Sequence, residues 1–168
     1  TCRCTHQRAQ NMTSSHREAV TMKKIIFREE VCMGCGLCEV HCLVQHSRSK
    51  DAIKAYRRED PKPLSRIRLE VDRPTTSVVQ CQNCRDPPCV MACLSGAMHK
   101  DIDSGLVVHD ADRCGGCLTC VIVCPFGAIK PDYSIRRIVA KCDMCQDTGI
   151  PSCVSNCPNE ALVYVEAG

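Results

Sequence analysis

The chain has no tryptophan, two phenylalanines and three tyrosines among its 168 residues, so the large aromatic side chains that usually fill a core are nearly missing. It also lacks any run near the roughly twenty apolar residues that a membrane helix needs. Its start, TCRCTHQRAQNMTSSHREAVTMKK, has neither an apolar stretch of signal-peptide length nor twin arginines, which points to a cytoplasmic protein without membrane insertion. There is no GxGxxG fingerprint and no Walker loop, so dinucleotide and P-loop chemistry have no support. Scarce aromatics and mixed charges, with a formal net charge of +3, argue against a nucleic-acid partner.

What the chain has instead is cysteine, at 18 of 168 positions. In a reducing compartment such a density is read as metal ligation or redox chemistry rather than as structural disulfides. Sixteen of the eighteen fall into four runs of four. Cys32, Cys35, Cys38 and Cys42 share the C-x2-C-x2-C-x3-C spacing of Cys114, Cys117, Cys120 and Cys124. The run Cys81, Cys84, Cys89 and Cys93 widens the middle gap to four residues, and Cys142, Cys145, Cys153 and Cys157 widen it to seven.

The repeat extends past the thiols. Ala97-Met98, Ala128-Ile129 and Ala161-Leu162 each place a small residue and then an apolar one shortly after the last cysteine of a run. Short β-prone stretches precede the runs: Lys24–Phe27, Val78-Val79, Leu106–Val108 and Ile138-Val139. The unit is therefore strand, cysteine loop, helical turn, strand. Four thiols within eleven residues suit one tetrahedral zinc ion poorly, since zinc sites favour two C-x2-C knuckles set well apart. A cubane iron–sulfur cluster suits them better, with three thiols around one cluster and the fourth reaching the other cluster of a pair. A zinc-stabilised interaction scaffold is the competing reading.

On the motifs CQNCRDPPCVMAC, RCGGCLTCVIVCPFGAI and KCDMC with PSCVSNCP, residues 24–166 resemble the four-cluster ferredoxin-like electron-transfer subunits of molybdenum and tungsten oxidoreductases, hydrogenases, formate dehydrogenases and enzymes of the DMSO reductase type. The first run, CMGCGLCEVHCLVQHS, looks most like the iron–sulfur subunits of carbon monoxide dehydrogenase and tungsten aldehyde oxidoreductase. Spacing alone permits three ways to pair four runs. The resemblance implies one: the first run with the fourth, the second with the third. It implies four [4Fe-4S] clusters, on Cys32, Cys35, Cys38 and Cys157; on Cys142, Cys145, Cys153 and Cys42; on Cys81, Cys84, Cys89 and Cys124; and on Cys114, Cys117, Cys120 and Cys93. Leu43 and Leu94 depart from the family's habit of proline after the final cysteine.

The expected fold is α+β, small and metal-stabilised: two pseudo-symmetric bacterial-type double-cubane ferredoxin modules, interleaved in one chain. An outer module would come from 22–50 and 136–168, and an inner one from 76–135. Residues 51–75 form an insertion, in which Ile67, Leu69 and Val71 alternate as in a half-exposed strand. The insertion is read as a solvated excursion, with a docking surface as the alternative. Residues 1–21 form a polar N-terminal extension, and its Cys2 and Cys4 are assigned no ligand role. His41 and His46 flank Cys42 and are read as solvent-exposed or core histidines, with a hydrogen bond to its sulfur as the alternative; the six histidines form no metal set of their own.

The resemblance implies an electron-transfer subunit rather than an enzyme, one that serves anaerobic metabolism. Its expected partners are a catalytic metalloenzyme subunit, with tungsten aldehyde oxidoreductase or carbon monoxide dehydrogenase foremost, and a second redox protein. A free polyferredoxin is the alternative, and head-to-tail self-association is a further expectation. Four loaded clusters of about −2 each would carry the chain from its formal positive charge to roughly −5.

Overall fold

Short β-branched runs form the strands, and the computed structural model describes residues 22–133 and 138–167 of the chain. The polar extension, with Cys2 and Cys4, lies outside the described residues. In chain order, β1 (Met22–Phe27) leads through a 3-10 turn at Glu29–Val31 into α1 (Leu37–Gln45) and α2 (Ala52–Arg57). A hairpin of β2 (Arg68–Asp72) and β3 (Thr75–Val79) follows, then α3 (Pro88–Met91), β4 (Met98–Lys100) and β5 (Val107–His109). The rest is α4 (Thr119–Val123), β6 (Lys130–Asp132), β7 (Ile138–Ala140), α5 (Ser152–Ser155) and β8 (Leu162–Ala167).

The strands make four two-stranded antiparallel sheets, in the orders β1-β8, β2-β3, β4-β5 and β6-β7. Three of these join strands that are neighbours in sequence. The fourth closes the chain on itself, running from Met22 opposite Ala167 to Phe27 opposite Leu162. The mixture of small sheets and short helices is the α+β character expected from the sequence.

Helices of four or five residues, such as α3, α4 and α5, lie well below the length at which a helix persists unaided. They are held by packing: α1 rests on α5, and α3 on α4. Two apolar clusters result. One joins Ile25, Cys38, Cys42, Ile67, Leu106, Met144, Cys153 and Leu162. The other joins Cys89, Met98, Val107, Cys120, Ile129 and Val139. Cysteine thus takes the place of the missing aromatics in both.

The repeated pairs after the thiol runs go to the interior. Ala97, Met98, Ala128, Ile129, Ala161 and Leu162 are all buried. The first run breaks this pattern, because α1 continues for nine residues, past Cys42 to Gln45, and the chain then leaves into the insertion.

The reading of 51–75 as a solvated excursion is corrected by its second half. Ile67 is buried in the first apolar cluster. The Leu69 N–H donates to Glu39 at 3.1 Å, and Lys130 Nζ donates to the carbonyls of Ser65 and Ile67 at 2.7 and 3.3 Å. Val71 on β2 lies so close to Gly34 that an added Cβ there would sit 3.3 Å from the valine, at a backbone φ of +71° that already favours glycine. Alternating apolar residues made the strand legible; its partners lie too far along the chain to be read from that pattern.

Candidate metal centres

Two thiol-lined cavities bring distant runs together. A cavity of about 340 Å³ is lined by Cys81, Cys84, Cys89 and Cys124, with Pro88, Val107, Phe126 and Ile129 as apolar walls. One of about 300 Å³ is lined by Cys32, Cys35, Cys38 and Cys157, with Phe27, Leu69, Val78 and Leu162 beside them. Each takes three thiols from one run and the last thiol of another. The packing of α3 on α4, and of α1 on α5, brings these runs side by side.

For the remaining eight cysteines of the four runs, electrostatics records their proximity. Burial pushes the Cys153 thiol far up, and the neighbouring sulfurs of Cys142, Cys42 and Cys145 push it further. Cys120 is raised to about 11 by burial and then by Cys117 and Cys114, and Cys117 in turn feels Cys93. Cys142 is raised to about 12, first by burial, and feels sulfurs on both sides, Cys81 and Cys42. All sixteen thiols are free of disulfides.

A buried thiol that resists ionisation becomes a ligand only by losing its proton, so metal binding at these sites releases protons. Opposing the burial are donors aimed at sulfur. The N–H groups of Arg66, Met98 and Ala161 donate to Cys42, Cys93 and Cys157 Sγ at 3.2, 3.3 and 3.2 Å. Thr119 Oγ1 donates to Cys117 Sγ at 3.4 Å. At Cys42, burial is outweighed by His46 and the Arg66 N–H, and its thiol lies below the usual value.

Around Cys42 a polar cluster forms. His46 Nδ1 donates to the Cys42 carbonyl at 2.7 Å and lies 3.8 Å from its Sγ, so the sulfur contact, the less favoured reading of this histidine, is present beside a shorter bond to the backbone. His46 Nε2 faces the Asp143 carboxylate at 3.2 and 3.3 Å, which Arg66 also engages through its guanidinium. Burial alone would lower the His46 pKa; the bonds to Asp143 and Cys42 outweigh it and raise the value to about 9. His46, Asp143 and Cys145 offer ligand atoms within 4.8 Å of one another. Asp143 is already bonded by His46, Arg66 and the Cys145 N–H, so the trio is better satisfied as a hydrogen-bond network than as an ion site.

The donor set fits a sulfur-rich cluster. Thiols line both cavities, N–H groups point at sulfur, and in the Cys81–Cys84 loop the amide Nδ2 of buried Asn83 has no protein partner. Sequence reasoning singled out every cysteine but missed Arg66, Asp143, Lys141 and Asn83. Lys141 and Asp143 flank Cys142, and Asn83 stands inside a thiol run, so adjacency was the one available signal.

A family described as the 4Fe-4S dicluster domain matches residues 75–167. YsaA of Escherichia coli (strain K12), provisionally named an electron transport protein, is 38% identical over 134 residues, covering 78% of this chain and 82% of its own. The electron transport protein HydN of the same strain is 34% identical over 158 residues, covering 84% and 87%. The thiosulfate reductase electron transfer subunit PhsB of Salmonella typhi is 32% identical over 153 residues, covering 81% and 71%.

Proposed function

Because the chain belongs to the 4Fe-4S dicluster domain family of iron–sulfur electron-transport proteins, we propose that it is an electron-transfer subunit with four [4Fe-4S] clusters. The ligand sets are Cys32, Cys35, Cys38 and Cys157; Cys42, Cys142, Cys145 and Cys153; Cys81, Cys84, Cys89 and Cys124; and Cys93, Cys114, Cys117 and Cys120. The observation that carries the reading is the pair of cavities in which three thiols of one run meet the last thiol of another.

Two ferredoxin-like modules follow from this assignment. The outer one would be built on β1, α1, α5 and β8, and the inner one on α3, β4, β5 and α4. The two apolar clusters follow this division in most of their members, with Leu106 of the inner stretch joining the first and Val139 of the outer stretch joining the second. When bound, the clusters supply one-electron redox chemistry and the polypeptide makes and breaks no bonds of its own. The chain's work is to hold the thiols, aim N–H groups at them and keep water from them with Phe27, Val107, Ile129 and Leu162. Cys142, within electrostatic reach of both Cys42 and Cys81, supports a continuous path across the outer and inner sets.

No helix among the described residues is long and apolar enough to cross a membrane. A catalytic oxidoreductase is the proposed partner, in keeping with the subunit role that the name of PhsB records for that relative. A tungsten aldehyde oxidoreductase or a carbon monoxide dehydrogenase is the favoured enzyme, with a second redox protein at the other end of the path.

Anaerobic purification tests the reading: about sixteen iron atoms and as many acid-labile sulfides per chain are expected. A sample holding zinc and no sulfide would overturn it. The largest co-purifying subunit identifies the enzyme served, while a loaded monomer with no partner would favour a free polyferredoxin.

A further inference from the structure

Lys141 is a buried cation without an acidic partner among the described residues. It is 4% exposed, and its ammonium donates to the Val107 carbonyl at 2.6 Å, the Cys142 carbonyl at 2.8 Å and Asn83 Oδ1 at 3.3 Å. All three acceptors are neutral. None of the ion pairs among the described residues involves it. A charge removed from water needs opposite charge nearby as well as hydrogen bonds, and carbonyl oxygens offset only part of that cost.

The missing negative charge has two sources in reach. Lys141 precedes Cys142, which belongs to the set with Cys42, Cys145 and Cys153. It also bonds Asn83, which stands between Cys81 and Cys84, and the carbonyl of Val107, which lines the cavity with Cys81, Cys84, Cys89 and Cys124. Its three bonds tie the Cys81–Cys84 loop, strand β5 and the Cys142 loop together. One ammonium therefore stands between two ligand sets, at the junction of the two halves of the molecule.

We propose that Lys141 is the shared counter-ion of the two central clusters and raises both of their reduction potentials together. The inference rests on the four-cluster reading above. Reduction adds one electron to a group that is already negative, and a fixed cation beside it stabilises the reduced form over the oxidised one. Because the charge acts on both central sites, it lifts them in parallel and leaves the step between them level. Lys141 is thus a positioning and tuning residue that passes no electron itself.

The test compares wild type, Lys141→Met, Lys141→Gln and Lys141→Arg as full chains loaded anaerobically, with redox titration followed by EPR. Iron and sulfide counts on the wild type come first; fewer than four clusters would fail the underlying reading, not the role of the lysine. In the neutral variants two of the four midpoints should move to more negative potential. The shift should be such that the reduced-to-oxidised ratio at a fixed potential falls about tenfold, or roughly 59 mV for a one-electron couple. The other two midpoints should stay in place, and Lys141→Arg should restore the wild-type pattern. Four unmoved midpoints, or four that move alike, would overturn the proposal. So would neutral variants that fail to load the central sites while Lys141→Arg loads them, since the cation would then serve assembly and not potential.

Discussion

Cys42 and Cys93 occupy the same place in their runs, and each is followed by leucine where the two later runs have proline, yet the chain treats them differently. After Cys93 it turns back at once through Gly96, at a φ of +67°, and Met98 supplies both an N–H to the Cys93 sulfur at 3.3 Å and a buried side chain. After Cys42 the helix runs on, and the corresponding donor is the N–H of Arg66 at 3.2 Å, with Ile67 as the buried side chain. A thiolate in a small protein needs a donor and an apolar cover. The chain draws them from five residues away in one case and from twenty-four and twenty-five in the other.

The sharpest way to break this comparison is to remove the covers. Ile67→Ala and Met98→Ala, at 3% and 2% exposure, should each destabilise the loaded protein by about 2–5 kcal/mol, measured by denaturant unfolding. EPR should report the damage at the cluster proposed on Cys42 for the first and at the one proposed on Cys93 for the second. An Ile67→Ala protein as stable as wild type would return the insertion to the status of a bystander.

Next in size is the donor itself. Arg66→Pro deletes the N–H that reaches Cys42, a hydrogen bond to a charged acceptor worth about 1.5–3 kcal/mol. The cluster proposed on Cys42 should become harder to reduce while the one proposed on Cys93 keeps its midpoint. Arg66→Ala, which retains the N–H and loses only the guanidinium on Asp143, should shift it less.

The tight turn after Cys93 should cost less to disturb. An added Cβ at Gly96 meets nothing within 4 Å, so Gly96→Ala carries only the strain of a left-handed backbone, about 1 kcal/mol in unfolding experiments. Arg66 reaches Cys42 without such a turn, so no equivalent substitution exists there.

The smallest effect is electrostatic and belongs to Cys42 alone. His46 has a folded pKa of about 9, above its ordinary value of about 6.5. Its pairing with Asp143 therefore stabilises fully below pH ~6.5 and is lost as pH rises through about 9. The Asp143 side chain is 41% exposed, so screening limits the contribution to at most about 1 kcal/mol. The difference in Tm between wild type and His46→Gln should accordingly close by pH ~9; a difference constant across that range would assign His46 to packing alone.

Much of the fold was legible because its signals are local. Ala97-Met98, Ala128-Ile129 and Ala161-Leu162 stood out as a repeated small-then-apolar pair, and all six residues are buried. The stretches Lys24–Phe27, Val78-Val79, Leu106–Val108 and Ile138-Val139 each contribute to a strand. Arg66 was not legible, because nothing near it in the chain marks its N–H as the partner of a sulfur on α1. Nor was the position of Lys141, whose acceptors include a carbonyl thirty-four residues earlier.

The sequence by itself determined the chemistry of the donors. Thiols at intervals of three to eight residues, with tight-turning glycines among them, commit the chain to sulfur ligation whatever surrounds it. Tertiary structure decided which donors stand next to which. Whether a run meets its neighbour or the far end of the chain depends on α1 packing on α5 and α3 on α4, and on a strand pair joining residue 22 to residue 167. Spacing along a chain fixes reach, but proximity in space is set by the burial of apolar faces, and an ammonium enclosed between two thiol sets is a product of that burial alone.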